Sequence, residues 1–503
     1  MTNSPHNPAS AHPRTTLAAV CTAALILPMS FSGGAVATPA IGHLLGGDLP
    51  GLAWVTNAFM LTFGGLLMTA GALADRWGRK RVFMAGVGLF GVASFMLSLA
   101  PTLGWIDLLR AVQGVGAAGA LAGGTAALAQ EVTGSARARA FSLLGTTFGI
   151  GLAFGPLVAG ILMEAFGWRA VFAAPTGVAA LALLLGAGSL RETRAAESSA
   201  MDWLGAATFS IALACLTLFI LQGPVWGWTS MPMAGLLLAS IGGFALFVRV
   251  ERRSTAPLLD LNLLRYPRVL GVQLLPIATC YCFVVLLVLL PLRFIGVEGM
   301  TETHAGVRML GLSAPMLVAP TLAVRLARRH SAGTVSAAGL LAASIGLLWL
   351  SLCGPGSGAT PVPAMLLIGM GAGLPWGLMD GLSVAVVPSE RAGMATGIFN
   401  TTRVAGEGIA LASVTAGLAA LVRWHLDRLT IGSAQVRPLL AQHLVTGDLG
   451  RAIRLGASAE ALKESYASGF AVLLYVLAGV TCASAVLVFV TLRRVDAHEV
   501  SAI

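Results

Sequence analysis

The sequence predicts an all-α protein that crosses a membrane many times. Of its 503 residues, 56% are hydrophobic and only 10% are charged, and the mean hydropathy is +0.85. Soluble domains carry about a quarter charged residues, so this composition argues against a water-soluble enzyme. The 62 glycines and 23 prolines lie within long apolar runs, where packed helices tolerate them. The predicted fold class is therefore a polytopic helical membrane protein.

Fourteen apolar runs are long enough to cross a hydrocarbon core, which takes about 20 helical residues. The first run contains Ala35-Val36-Ala37, which resembles a signal-peptidase site. Because that run is too long for a signal peptide, we predict a retained first span. The predicted spans 1–14 lie at 17–42, 52–74, 82–101, 104–129, 139–164, 170–189, 203–222, 232–248, 269–292, 305–325, 333–353, 362–387, 393–421 and 469–491.

Basic residues predict which side of the membrane each loop occupies. An even number of spans puts both termini on one side, and placing Arg14 in the cytoplasm puts most basic loop residues there too. The short opposite loops keep little beyond Arg169 and Arg293, and the long loop at 422–468 weighs less in this rule. We therefore predict a multi-pass protein of a cell membrane, of the bacterial plasma-membrane type, with both termini cytoplasmic.

A weak internal echo predicts two related halves. The sequence LADR at 73–76 recurs as LARR at 326–329, and the Arg-Ala pair at 137–138 recurs at 391–392. Spans 1–6 then correspond to spans 9–14, and spans 7 and 8 are an insertion. Repeated halves are typical of transporters, with the substrate site between them near mid-membrane. The predicted segments are a tail at 1–16, a six-helix bundle at 17–189, an insertion at 190–268, a second six-helix bundle at 269–491 and a tail at 492–503.

Charge placement and cysteine content narrow the class of function. The formal net charge of +10 falls in short clusters between spans, which fits loops held against anionic lipid rather than nucleic-acid binding. The six cysteines lie within apolar runs and show no metal-ligand spacing. We predict no metal, no cofactor and no nucleic-acid partner, and we expect a monomeric chain surrounded by membrane lipid.

Three motifs carry a family resemblance. The loop after span 2 reads GALADRWGRK at 71–80, span 4 contains RAVQGVGAA at 110–118, and span 5 contains GLAFGPLVAG at 151–160. Together they resemble the loop 2–3 signature, the span-four arginine motif and the span-five antiporter motif of the major facilitator superfamily. Fourteen spans, WVTN at 54–57 and GWR at 167–169 narrow the resemblance to the fourteen-helix drug:proton antiporter branch.

The resemblance implies the major facilitator fold, in which two pseudo-symmetric six-helix bundles are joined here by two inserted helices. It also implies a cytoplasmic latch in loop 2–3, although a plain positive-inside loop is the alternative. Gly71 would let helices approach closely, and Asp75 could pair with nearby cations or cap a helix. The predicted latch residues are Gly71, Asp75, Arg76, Gly78 and Arg79.

The span 5 motif implies export, because this pattern marks exporters in the family. Its glycines thin the helix for close packing, and its proline removes an amide hydrogen bond within the span. An ordinary proline kink is the alternative. The predicted exporter motif consists of Gly151, Gly155, Pro156 and Gly160.

Four charged residues lie deep in the predicted spans, namely Arg110, Asp380, Arg403 and Glu407. A charge at that depth costs roughly 2.5–3.5 kcal/mol, so it usually faces a partner or a wet cavity. Arg110 either pairs with Asp107 or serves proton transfer, as the resemblance suggests. Arg403 and Glu407, at i and i+4, either form a structural pair or take part in coupling. Since no histidine lies in any span, we predict Asp380 first and Glu407 second as proton-coupling residues.

Span 1 departs from the branch, in which this span commonly carries an aspartate. Aligned on Pro39, this chain has Ser30 at that position, so a carboxylate that could attract cationic drugs is absent. This favours a neutral or anionic amphiphile. The candidate pocket residues are Ser30, Trp54, Phe59, Trp376 and Phe399, although packing or lipid contact is the alternative role for each aromatic residue.

The sequence thus predicts a proton-coupled secondary transporter that exports small amphipathic compounds by alternating access. A metabolite importer of the same fold is the alternative, and the span 5 motif argues against it. A membrane-embedded enzyme or sensor is a rival of another class, but no nucleophile or zinc motif appears. Gly78-Arg79-Lys80 lacks the pattern of an ATP-binding loop. We predict that the loop at 422–468 forms short helices that cover the outer surface.

Overall fold

A computed structural model describes residues 13–47, 49–132, 134–194, 202–254, 265–354, 361–386 and 392–493. Within these ranges the chain is helical and contains no strand. Fourteen of the helical segments are long and apolar enough to cross a membrane, as predicted. The protein is therefore a multi-pass membrane protein. Below, the outer side is the side that carries the loop between spans 13 and 14.

Each of spans 1–8 is a single helix. Most of these helices extend beyond the predicted apolar run, because a helix continues after its apolar part has crossed the hydrocarbon core. They are Pro13–Leu45, Leu49–Trp77, Arg79–Ser98, Leu103–Glu131, Gly134–Phe166, Trp168–Ser189, Trp203–Trp226 and Met231–Glu251.

Spans 9 and 10 change helix type along their length. Span 9 consists of Pro267–Thr279, a π-helical turn at Cys280–Val284, Val285–Pro291 and a second π-helical turn at Leu292–Val297. Span 10 consists of Glu302–Ser313, a 3₁₀ turn at Ala314–Leu317 and Ala319–Leu326. Spans 11–14 are Ala332–Ser351, Pro361–Ala385, Ala392–Arg428 and Ala459–Leu492.

The helices pack as two similar bundles. In the first half, span 1 packs against spans 5 and 6, span 2 against span 4, and span 3 against spans 4 and 6. The second half contains every equivalent pair: span 9 packs against spans 13 and 14, span 10 against span 12, and span 11 against spans 12 and 14. The pairing agrees with the correspondence of spans 1–6 and 9–14 inferred from the sequence echo.

The inserted spans join the molecule on one side of the seam between the halves. Span 7 packs against span 8 and also touches span 2 and span 13. The Ser210 hydroxyl of span 7 donates to the Gly65 carbonyl of span 2 at 2.6 Å and lies 3.1 Å from the Thr69 hydroxyl. Span 7 therefore closes the seam laterally between spans 2 and 13.

The outer loop is shorter than predicted, because span 13 continues as a helix to Arg428 and span 14 begins at Ala459. As predicted, it contains short helices: a first outer helix at Arg437–Val445 and a second at Leu449–Arg454. Gly447, between them, packs against the backbone of Gly296 in span 9.

Candidate functional site

The two halves meet along a seam in which small residues allow close approach. A Cβ on Gly64 of span 2 would lie 3.0 Å from the Cα of Ala405 in span 13. On the other side of the seam, a Cβ on Gly145 of span 5 would overlap the Asp380 carboxylate of span 12. The Trp376 indole donates to the Gly145 carbonyl at 3.2 Å. The deep charges of span 12 and span 13 therefore lie at the interface between the halves.

Arg403 and Asp380 form a buried ion pair across spans 13 and 12. Arg403 Nη1 lies 3.1 Å from Asp380 Oδ1 and 3.3 Å from Oδ2, and both side chains are under 10% exposed. Arg403 Nη2 donates to Asn400 Oδ1 at 2.8 Å, and the guanidinium stacks 4.4 Å from the Phe148 ring centroid of span 5. Of the two alternatives for Arg403 and Glu407, the structural pair does not form in this structure, because the Arg403 guanidinium pairs with the Asp380 carboxylate of span 12 instead.

Glu407 lies one helical turn from Arg403 towards the outer side, and it is 2% exposed. Its Oε1 has no hydrogen-bond partner among the described residues. Arg403 and Cys280 of span 9 lie close enough to act on it electrostatically. An ionised, unpaired carboxylate is costly at this depth, and taking up a proton removes that cost. Glu407 thus has the surroundings of a group that exchanges a proton.

Arg110 is fully buried at the centre of the first bundle. Its Nε donates to the Val55 carbonyl of span 2 at 2.7 Å, and its Nη1 donates to Gln113 Oε1 at 2.5 Å and to both oxygens of Ser30 at 3.3 Å. The ring of Phe59 lies 4.5 Å from its guanidinium. Arg110 therefore ties span 4 to spans 1 and 2 through uncharged oxygens, and its predicted part in proton transfer remains a prediction.

A cavity of about 170 Å³ lies between the outer parts of the two halves. Spans 1 and 2 form one wall, spans 9 and 13 form the other, span 7 contributes one residue and the first outer helix covers the top. Leu411, in its lining, is one helical turn outward from Glu407. The lining residues are Ala35, Thr38, Leu52, Ala53, Thr56, Asn57, Ile220, Val288, Leu292, Leu411, Ala412, Thr415, Ala416, Ala419, Gln442, Val445 and Thr446.

None of the five predicted pocket residues lines this cavity. The prediction that they form the substrate pocket is therefore wrong for this cavity. Ser30 and Phe59 are buried against Arg110. Trp376 packs edge-on against Phe283, and Phe399 stacks near Arg403. Trp54 is half-buried beside the lining residue Ala53. Residue type alone does not show which face of a helix a side chain occupies, and Phe59, Trp376 and Phe399 lie in the packed interior.

Loop 2–3 is held against the inner end of span 6. Arg79 pairs with Asp75 at 2.7 Å, and the Arg79 amide donates to the Thr193 carbonyl at 3.0 Å. Gly78 has a φ of 119°, and a Cβ there would overlap the carboxylate of Glu192. In this conformation the contacts of the predicted latch residues Asp75, Gly78 and Arg79 are all with residues of the first half.

Two of the predicted latch residues take no part in these contacts. A Cβ on Gly71 would meet nothing within 4 Å, so the expected close helix approach at Gly71 is wrong for this conformation. Arg76 is exposed.

The glycines of the span 5 motif contact two different spans. A Cβ on Gly151 would overlap the Leu25 carbonyl of span 1, and one on Gly155 would overlap the Ser32 hydroxyl. A Cβ on Gly160 would lie 2.8 Å from the Glu302 carbonyl of span 10, across the seam. The helix continues through Pro156 to Phe166. The motif therefore lets span 5 pack closely against both halves.

Sequence reasoning missed a second buried charge cluster at the outer end of the second half. Arg293, which the sequence places in an outer loop, is 3% exposed and lies 2.8 Å from Glu298 Oε1. Its Nη2 donates to the Cys353 carbonyl at 2.9 Å, and Arg308 reaches Glu298 Oε2 at 3.4 Å. The spacing of 293 and 298 gives no helical pairing signal, because a π-helical turn brings them together. This cluster joins spans 9, 10 and 11.

Other site residues that sequence reasoning missed were Asn400, Gly145 and the polar lining of the cavity. Asn400 lies three residues before Arg403, a spacing that could have indicated the contact. The sequence around Gly145 does not predict its contacts, because its neighbours Asp380 and Trp376 belong to the second half of the chain. Asn57 belongs to the WVTN motif at 54–57, which gives no indication that its side chain lines a cavity.

Two six-helix bundles with buried charges along their seam and a cavity between them define a secondary transporter fold. The sequence profile of the Major Facilitator Superfamily matches residues 19–411. The chain therefore belongs to this superfamily, as the motifs predicted.

Relatives of known name agree with this assignment. The chain is 32% identical over 417 residues to the multidrug resistance protein Stp of Mycobacterium tuberculosis (strain CDC 1551 / Oshkosh), covering 82% of this chain and 77% of that protein. It is 29% identical to the tetracenomycin C resistance and export protein of Streptomyces glaucescens, covering 81% and 77%.

Solved structures share the fold. A bacterial homolog of the human lysosomal transporter Spinster, in an inward-facing and unoccupied conformation, matches with a TM-score of 0.62 at 15% identity, covering 95% of this chain and 97% of that one. A POT family transporter in complex with 5-aminolevulinic acid matches with a TM-score of 0.61 at 12% identity, covering 95% and 96%.

Proposed function

We propose that this protein exports small amphipathic compounds from the cell in exchange for protons, by alternating access between its two halves. Its relatives include proteins named for multidrug resistance and for the export of an antibiotic. The observation that carries the proposal is the placement of Glu407, a buried carboxylate with an unpartnered oxygen, one turn below a cavity between the halves. The protein acts in a bacterial plasma membrane as a monomer, with both termini in the cytoplasm.

The geometry favours Glu407 over Asp380 as the proton carrier, which reverses the order that the sequence suggested. Asp380 has a cationic partner in Arg403, so its charge is compensated within the seam. Glu407 has no hydrogen-bonded partner for Oε1 among the described residues. A carboxylate without a partner gains most from taking up a proton, so the proton binds at Glu407.

Arg403 couples this proton to the conformation of the seam. Its Nε is buried and unpaired among the described residues, as is Glu407 Oε1, and the two residues are four apart on span 13. When Glu407 loses its proton, the new charge attracts Arg403 and weakens the pair with Asp380. Because Asp380 and Trp376 of span 12 pack on Gly145 of span 5, this exchange loosens the contact between the halves.

The test is transport into inside-out membrane vesicles with an imposed pH gradient, acidic inside. The wild-type chain should accumulate a fluorescent amphipathic dye, and a protonophore should abolish the accumulation. The double variant Asp380→Asn, Glu407→Gln should lose gradient-driven accumulation. The matched control is Glu164→Gln, which neutralises an exposed carboxylate at the end of span 5. Undiminished accumulation by the double variant would refute the assignment of these residues.

A further inference from the structure

The cavity between the halves is lined by residues that carry no ionisable side chain. Its walls are mostly Ala, Leu, Val and Ile, and its polar lining consists of threonine, asparagine and glutamine. A site of this composition offers apolar contact area with a few hydrogen-bonding groups.

Three half-buried polar groups of the lining are free to bind a ligand, and the buried hydroxyl of Thr56 likewise has no hydrogen-bond partner among the residues that the structure describes. The side chains of Asn57, Thr415 and Gln442 are half-buried and form no hydrogen bond with any residue that the structure describes. By contrast, the hydroxyls of Thr38 and Thr446 donate to carbonyls of their own helices, at 2.9 and 3.0 Å. The free groups come from span 2, span 13 and the first outer helix, so they face the cavity from three directions.

The charged groups nearest the cavity do not line it. Ser30 stands where the related branch carries a carboxylate, and its hydroxyl contacts Arg110. Asp380 is paired with Arg403, and Glu407 is buried one turn below the lining residue Leu411. A cation or an anion entering the cavity would lose its hydration without gaining a counter-charge from the lining residues, which costs several kcal/mol.

We infer that this cavity binds an uncharged amphipathic compound with two or three hydrogen-bonding groups, and that it disfavours cations and anions of the same size. The inference rests on the proposed export function and names its substrate class. Asn57 and Gln442 each provide a donor and an acceptor, and Thr415 provides a hydroxyl. The apolar rings of the compound pack against Leu52, Val288 and neighbouring lining residues.

The charge of the substrate also fixes how export responds to membrane voltage. When a neutral compound leaves and protons enter, net positive charge moves inward for any number of protons exchanged. A monovalent cation exchanged for one proton moves no net charge. Export of a neutral compound by this protein is therefore driven by the membrane potential as well as by the pH gradient.

Binding to the purified full chain tests the inference directly, with three probes that share one ring system. The neutral probe is 2-(hydroxymethyl)anthraquinone, the cationic probe carries trimethylammoniomethyl at the same position, and the anionic probe is anthraquinone-2-carboxylate. Equilibrium dialysis should show the neutral probe binding at least tenfold more tightly than either charged probe. Equal or tighter binding of a charged probe, or no binding of the neutral probe, would overturn the inference.

Variants locate the binding in this cavity. Thr415→Val should weaken binding of the neutral probe about threefold to tenfold, because one hydrogen bond is lost. The control Thr22→Val removes a hydroxyl that bonds to Ala18 within span 1, outside the cavity, and should leave binding unchanged. Asn57→Asp should raise the affinity for the cationic probe at least tenfold, since it places a carboxylate in the cavity. Failure of Asn57→Asp to improve cation binding would contradict the site.

Transport separates this inference from the proposed function. In vesicles with a fixed pH gradient, a valinomycin-imposed potassium potential should change the rate of neutral-probe transport. Gradient-driven transport of a charged probe at the rate of the neutral probe would overturn the neutral substrate class and leave proton-coupled export intact. Loss of all gradient-driven transport would instead overturn the proposed function.

Discussion

The Arg403–Asp380 pair shows how a buried charge acquires its role from a partner that is distant in sequence. Depth and residue type were readable from the sequence, so both residues were correctly identified as unusual. Their pairing could not be predicted, because the two residues lie 23 positions apart in the chain, on two different helices. The i,i+4 spacing predicted a pair with Glu407, but the Arg403 guanidinium pairs with the carboxylate of Asp380 on span 12. Tertiary packing decides which carboxylate a buried arginine contacts, and the spacing of residues within one helix does not predict that packing.

Removing only one member of the Arg403–Asp380 pair should destabilise the protein. Arg403→Leu leaves Asp380 buried without a cation, so the apparent free energy of unfolding should fall by about 3–5 kcal/mol. The double variant Arg403→Leu, Asp380→Leu removes both charges and should recover most of that loss. Thermal unfolding of the detergent-purified chain measures both effects. A double variant as unstable as the single one would contradict a direct pairing.

The membrane-spanning helices were the part of the structure that the sequence predicted best, because the length of an apolar run alone identifies a span. All fourteen were found, and the short helices of the outer loop were expected. The π-helical turns of span 9 were not, since Cys280–Val284 and Leu292–Val297 have no distinctive composition. Glycine roles were partly predicted: Gly151 and Gly155 do pack closely, whereas Gly71 faces open space in this conformation.

The close packing of span 5 against span 1 leads to a prediction about a single methyl group. Gly151→Ala places a Cβ against the Leu25 carbonyl, so the spans must separate, and stability should fall by about 1–3 kcal/mol. Gly177→Ala in span 6 is the matched control, because a Cβ there meets nothing within 4 Å. Thermal unfolding should separate the two variants. Equal melting temperatures would show that the spans do not pack as described.

Loop 2–3 allows a similar comparison between two glycines of one motif. Gly78→Ala imposes a left-handed φ of 119° on a residue with a Cβ and pushes against Glu192, so it should destabilise the chain. Gly71→Ala should leave the melting temperature unchanged, because its Cβ meets open space. The opposite ranking, with Gly71→Ala the less stable variant, would mean that the inner end of span 2 packs differently.

At the scale of the whole molecule, two faint sequence matches indicated the arrangement of the halves. Those matches do not predict the contacts between the halves. In the structure, span 2 packs against span 13, and span 5 packs against spans 10 and 12. These contacts depend on the conformation of the molecule as well as on its sequence. The cavity could not be predicted from the sequence for the same reason, since five spans and the first outer helix enclose it.

Alternating access requires the halves to separate, so fixing them together should stop transport. Gly306 of span 10 packs on Leu157 of span 5, and a disulfide between cysteines at these positions should block transport until a reductant is added. The control pair is Gly91 and Ala179, which touch within the first half and should tolerate the same bond. Both pairs are made in a chain whose six native cysteines are replaced. Full transport by the oxidised Leu157–Gly306 pair would exclude separation at this contact.

The central claim is that Glu407 carries the proton that drives export, and comparing pumping with exchange tests it most directly. Glu407→Gln can neither take up nor release a proton, so in proteoliposomes any exchange of labelled for unlabelled substrate that it catalyses should be independent of pH. The variant should fail to accumulate substrate against a concentration gradient when a pH gradient is imposed, whereas the wild-type chain accumulates it. Accumulation by Glu407→Gln at the wild-type level would contradict the account.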